Sequence, residues 1–176
     1  MPVSVSIVED HNDTRDRLAE LLRDEPRLRF LESYASAEEA LQRVSASPPD
    51  VMLVDIRLPG ISGIECVSQL KAKVPRVQIL MLTTYEENDL IFQSIRAGAS
   101  GYLLKNAAFA ELVQAIEEVH SGGAPMSMHI ARKVVDHFRE IQKPSGEIEK
   151  LTGREQEILA LVAKGRLDKE IASALG

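Results

Sequence analysis

Five polar residues stand at the ends of apolar runs: Glu9 and Asp10 after VSVSIV, Asp55 after VMLV, Thr83 closing VQILMLT, and Lys105 after ASGYLL. Three carboxylates, a hydroxyl and an ammonium gathered at one edge could carry out phosphoryl chemistry. A carboxylate can attack phosphorus and hold the phosphoryl group as an aspartyl phosphate, while a divalent cation and an ammonium neutralise charge developing on the phosphoryl oxygens. Crowded carboxylates repel one another, and hard oxygen donors in this number suit Mg2+. Asp55 ends the central apolar run and is the candidate nucleophile. Each residue alone has a plainer reading: Glu9 and Asp10 as caps of a following helix, Asp55 as the start of a turn into RLPG, Thr83 and Lys105 as ordinary strand-end polars. Their recurrence at equivalent places in a repeated pattern favours the chemical reading.

The elements that must position them follow from periodicity. Apolar runs at 3–8, 28–34, 51–55, 77–83 and 99–104 have strand length. The middle ones are continuous rather than alternating, as a parallel sheet covered on both faces requires. Helix-period segments lie between them: Leu18, Leu21 and Leu22; Ala37, Ala40, Leu41 and Val44; Ile64, Val67 and Leu70; Ile91 and Ile95; Leu112, Ala115, Ile116 and Val119. The result is a (βα)5 domain over residues 1–122, closed by the SGGAP break. In such a sheet, ligands bind at the carboxyl ends of the strands near the reversal of strand order, where the five polar residues fall.

Residues 123–148 read as a linker with a helix, marked by Ile130, Val134, Phe138 and Ile141 and ended by KPSGE; it is expected to connect or to dimerise. Residues 149–176 read as two short helices. A capping box runs from Thr152 to Glu155 ahead of Ile158, Leu161 and Val162, Gly165 suits a C-cap, and Asp168 can cap the second helix, which carries Ile171, Ala172 and Leu175.

The bulk composition narrows the classes. Forty-four per cent hydrophobic and 27% charged residues fit a globular chain with a real core. No apolar run approaches the roughly 20 residues of a spanning helix, and MPVSVSIVEDH has no basic segment ahead of an apolar one, so a cytoplasmic protein with no membrane contact is expected. The single cysteine, Cys66, excludes an internal disulfide and reads as a small buried hydrophobe. The net charge of −6 is uneven: residues 1–125 carry 12 Lys/Arg against 19 Asp/Glu, and residues 126–176 carry 9 against 8. Charge alone does not point to DNA.

Over residues 3–121 the chain resembles the receiver domains of two-component response regulators. The carriers are the Glu9–Asp10 pair, VMLVDIRLPGISGIE around Asp55, LMLTTY at Thr83, and GASGYLLKN with Tyr102 and Lys105. The resemblance implies a flavodoxin-like, doubly wound, five-stranded parallel sheet. It implies that a sensor histidine kinase phosphorylates Asp55, that Asp10, Asp55 and the backbone carbonyl of Arg57 hold Mg2+, that Glu9 helps through water, and that Lys105 pairs with the phosphoryl group. It makes Thr83 and Tyr102 the switch pair, the ring following the hydroxyl inward, and it makes Arg57 and Tyr85 positions that tune phosphoryl lifetime. Asn106 stands where many receivers have proline, so no cis bond is expected there.

Residues 151–176, LTGREQEILALVAKG through KEIASALG, resemble the start of the helix-turn-helix output domain of NarL/FixJ (LuxR-type) regulators. Leu167 replaces the small polar residue usual near that position. In that family a recognition helix follows and enters the major groove, so promoter DNA is an expected partner of a full-length protein and not of this stretch. The family further implies homodimerisation on phosphorylation, and no catalysis beyond self-catalysed phosphoryl acceptance and autodephosphorylation. Two rivals stand beside it. A Mg2+-dependent phosphatase commonly pairs its nucleophile with an acid two residues on, where this chain has Arg57; a phosphorylation-independent interaction module would have no use for the intact acid pair, Asp55, Thr83 and Lys105.

Overall fold

The computed structural model describes residues 1–141. The KPSGE segment and the expected helical pair with its Thr152–Glu155 capping box lie outside the described residues. Element order is β1 (Val3–Val8), α1 (Asn12–Asp24), β2 (Leu28–Tyr34), α2 (Ala37–Arg43), β3 (Val51–Val54), α3 (Gly63–Lys73), β4 (Gln78–Thr83), α4 (Asn88–Ala97), β5 (Gly101–Leu104), α5 (Phe109–His120) and α6 (Met128–Ile141). All strand pairs are parallel, in the order β2-β1-β3-β4-β5. Strand order reverses beside β1 and β3, which opens a crevice at their carboxyl ends.

The continuous apolar strands are explained by two cores. Val5, Ile7, Val51, Leu53 and Leu103 pack under α1 and α5 with Leu22, Val113 and Ile116. Met52, Val54, Ile79 and Met81 pack under α2, α3 and α4 with Ala40, Cys66, Leu70 and Ile91. Successive residues of β3 therefore enter opposite cores, and none is free to be polar until the strand ends at Val54. Cys66 is buried as expected, and burial pushes its thiol up to about 12, which leaves it an inert hydrophobe.

Local chemistry sets the helix ends. Ser36 and Ser62 cap α2 and α3 by accepting the Glu39 and Glu65 N–H groups. Gly98, at φ +107°, closes α4 in the left-handed region. Ala99 gives its N–H to the Ser94 carbonyl as part of that closure, so β5 starts two residues later than the apolar run ASGYLL. The Val77 N–H likewise turns back to Val74, and β4 starts at Gln78.

The chain does not leave this body after α5: the compact unit runs from Met1 to Val135. Pro125 accepts the Tyr102 N–H at 2.9 Å and Met126 bridges to Tyr102, so this segment covers the open edge of β5. Ile130, fully buried, enters the α2–α4 core, and His129 and Lys133 both bond Glu86 in the loop after β4. The start of the segment read as a linker is therefore packed structure. Ile130→Ala is expected to lower stability by roughly 2–5 kcal/mol, the range for truncating a buried isoleucine. Urea unfolding checks this; a loss near zero would mean that α6 merely rests against the domain.

Candidate phosphoacceptor site

Backbone register brings the strand ends into one crevice. The Asp55 N–H bonds the Val8 carbonyl at 3.0 Å, the Glu9 N–H bonds Tyr34, and the Lys105 N–H bonds Thr83 at 2.8 Å. These ladder bonds continue past the last strand residues and hold Glu9 and Asp55 at the neighbouring ends of β1 and β3, with Lys105 one strand beyond, across β4. The Lys105 ammonium lies 2.6 Å from Glu9 Oε2 and 2.7 Å from Asp55 Oδ2. Glu9 is 2% exposed and Asp55 7%. Burial opposes the charge on Lys105, but its bonds to Asp55 and Glu9 outweigh that and hold its pKa above the ordinary lysine value. The second Asp55 oxygen, Oδ1, accepts the Ile56 N–H at 2.7 Å, which fixes the carboxylate plane.

Asp10 is exposed at the rim, yet carboxylate oxygens of Glu9, Asp10 and Asp55 all fall within 4.8 Å of one another. Such a set of hard oxygens fits one small divalent cation. Neither acid caps α1. The N-cap is His11, whose side chain makes no capping bond, and Glu9 Oε1 accepts the His11 N–H at 3.2 Å within the turn.

A second group of predicted residues forms a connected string beside the first. Thr83 is fully buried, with its Oγ1 3.5 Å from the Tyr85 nitrogen. The Tyr85 carbonyl accepts the Tyr102 hydroxyl at 2.7 Å, and the Arg57 guanidinium lies 4.9 Å from the Tyr85 ring centre. Tyr102 is fully buried. Burial, with the nearby Glu87, Asp55 and Glu86 carboxylates, raises its pKa and keeps the phenol neutral. The two groups meet through backbone, in the bond from the Lys105 N–H to the Thr83 carbonyl. No cis peptide occurs among the described residues, Lys105–Asn106 included.

Two residues that the sequence reading passed over also serve the crevice. Arg15 Nη1 donates to the carbonyls of Glu9 at 2.9 Å and Asp10 at 3.2 Å, and so pins the turn that carries both acids. Its signal was available: a cation in the opening turns of a helix runs against the helix dipole and calls for another reason to be there. Glu38, on α2, accepts the Ile61 N–H at 3.0 Å in the loop after Asp55. Nothing in the local spacing marks it, because the contact depends on how α2 packs beside α3.

Residues 5–117 match the response regulator receiver domain family. The chain is 34% identical to the transcriptional regulatory protein LnrK of Bacillus subtilis over 98% of its own length and 82% of that protein's. It is 33% identical to the DNA-binding transcriptional activator DevR/DosR of Mycobacterium tuberculosis, over 98% of this chain and 80% of that one. Among solved structures, a LuxR-family two-component response regulator from Aurantimonas sp. SI85-9A1 superposes with a TM-score of 0.73 at 31% identity, covering 78% of this chain and 98% of that one. The strand order, the acidic crevice with its lysine and these likenesses agree: the chain belongs to the two-component response regulators of the NarL/LuxR family, and its first domain is their receiver.

Proposed function

We propose that this receiver accepts a phosphoryl group on Asp55 from a sensor histidine kinase, with Mg2+ held by Asp10, Asp55 and the Arg57 carbonyl and assisted by Glu9 through water. The observation that carries the reading is the Lys105 ammonium bound to Asp55 Oδ2, a cation already standing where negative charge would accumulate. Asp55 attacks phosphorus with one oxygen, the bond from phosphorus to the donor nitrogen breaks, and the acyl phosphate is left on the carboxyl group. Mg2+ supplies charge neutralisation on the phosphoryl oxygens. Lys105 keeps its proton throughout and exchanges a carboxylate partner for a phosphoryl oxygen, while Glu9 retains the other side of the ammonium. A groove of about 570 Å³ between α1 and α5 opens beside Lys105, with Leu18, Leu21, Phe109 and Leu112 on its walls, and gives a donor protein an apolar surface next to the acceptor.

The output of the switch runs through Thr83, Tyr85 and Tyr102. A phosphoryl group adds about −1.5 to −2 of charge and strong acceptor oxygens, enough to draw the Thr83 hydroxyl away from Tyr85. Tyr102 reads that loop with its hydroxyl and holds Pro125 with its N–H, so a change at Thr83 reaches the start of α6 through one residue. Homodimerisation and control of a helix-turn-helix output follow from this reading, and the relative DevR/DosR is by its name a DNA-binding transcriptional activator. Arg57, its guanidinium over the Tyr85 ring, and Tyr85 set phosphoryl lifetime by limiting access of water. The acceptor chemistry is self-catalysed, the protein works in the cytoplasm, and DNA recognition belongs to a complete output domain. The domain division proposed with it is a receiver over 1–122, a linker over 123–148 and the first part of the output domain over 149–176.

Incubation with acetyl phosphate and Mg2+ is expected to add one phosphoryl group to the intact mass. Asp55→Asn or EDTA should abolish the adduct, and an adduct that persists in Asp55→Asn would place the acceptor elsewhere. Tyr102→Phe is expected to keep the adduct but to leave the Tyr85 carbonyl without its partner, lowering stability by about 1 kcal/mol. In amide NMR spectra, phosphorylation should shift Met126 and Ile130 in the parent and much less in Tyr102→Phe; equal shifts in both would remove Tyr102 from the route to α6.

A further inference from the structure

The loop between β3 and α3 carries Arg57, Leu58, Pro59, Gly60 and Ile61, and the proposed metal site draws one ligand, the Arg57 carbonyl, from its backbone. Its ends are fixed from within: the Gly63 N–H bonds the Ile56 carbonyl at 2.8 Å, and Ser62 caps α3. Leu58 and Ile61 rest on the α2–α4 core. The remaining hydrogen bond to this backbone from outside the loop, among the described residues, comes from α2, where Glu38 Oε1 accepts the Ile61 N–H at 3.0 Å. That bond holds the Glu38 carboxyl below the usual carboxylate range.

Gly60 shows how closely the carboxylate is fitted. At φ +73° its backbone lies in the left-handed region, and a Cβ built there would meet Glu38 Oε1 at 2.3 Å. The glycine therefore serves two needs, the turn and the space that the carboxylate occupies. An acid from the neighbouring helix seats itself in the hollow of the loop and clamps it from outside.

We propose that Glu38 is a positioning residue of the metal site, fixing the loop through Ile61 so that the Arg57 carbonyl is available as a ligand. The inference rests on the receiver reading above and extends it to a residue that touches neither metal nor phosphoryl group. Partners outside the ligand shell typically govern metal affinity because they restrict the freedom of the ligands. Loss of the clamp frees the loop, so Mg2+ binding must then order it.

The test is calorimetric titration of the 176-residue chain with Mg2+, beside the rate of phosphoryl acceptance from acetyl phosphate across Mg2+ concentrations. Glu38→Ala is expected to raise the Mg2+ dissociation constant about tenfold, with the rate at saturating Mg2+ within about twofold of the parent. Glu38→Gln keeps an acceptor for the Ile61 N–H without the charge, so its constant should stay within about threefold of the parent. Gly60→Ala drives the carboxylate out of its seat and should weaken Mg2+ as Glu38→Ala does, which secures the test should the latter fail to fold. An unchanged constant in either alanine variant overturns the proposal, as does a Glu38→Gln constant as weak as that of Glu38→Ala, which would assign the effect to charge. A parent chain that binds no Mg2+ overturns both this proposal and the reading beneath it.

Discussion

Glu9 and Asp55 are carboxylates nearly sealed from water, and taking two like charges out of water side by side is unfavourable unless a counter-charge comes with them. Lys105 meets that condition by placing its ammonium 2.6 and 2.7 Å from them. The geometry is possible only if the carboxyl ends of β1, β3 and β5 open into one crevice, so the strand order and the site are one constraint. It also sets the charge state of the lysine. An ammonium bound to two carboxylates is held charged against its own burial.

The same economy of position links the crevice to the far side of β5. Tyr102 has its hydroxyl on the Tyr85 carbonyl and its N–H on Pro125, while Ile130 packs into the core that contains its ring. One buried residue thus touches both the loop after Thr83 and the start of α6. Glu86, next in that loop, holds His129 and Lys133 from the other end. The loop after Thr83 and the start of α6 are therefore tied together at two points. Arg15 and Glu38 brace the turn that carries the two acids and the loop that carries Arg57.

Strand and helix positions were legible in the sequence because a sheet covered on both faces leaves the interiors of β3 and β4 no polar position, and that signal survives without tertiary knowledge. The strand starts were less so. Ala99 and Val77 are apolar enough to extend their strands, yet their N–H groups are used by the turns behind them. The SGGAP break ends α5 as its composition dictates, but composition gave no warning that Pro125 would return to pair with β5. Glu9, Asp10, Asp55, Thr83 and Lys105 stood out because each interrupts an apolar run at a strand end; Arg15 interrupts none and is marked only by a cation set against the helix dipole, and Glu38 is not marked at all, since its partner lies on another element.

By itself, the sequence determined the alternation of strand and helix and the residue types at the strand ends, because hydrophobic periodicity and the interruption of apolar runs are local properties. Tertiary structure alone decided that Lys105 bridges Glu9 and Asp55, that Tyr102 lies inward between Tyr85 and Pro125, and that Glu38 occupies the hollow above Gly60. Those contacts join residues 17 to 96 positions apart. Such pairs form only after strand order and helix packing have chosen which ends are neighbours, a choice made by burial of the whole core and written in no single segment of the chain.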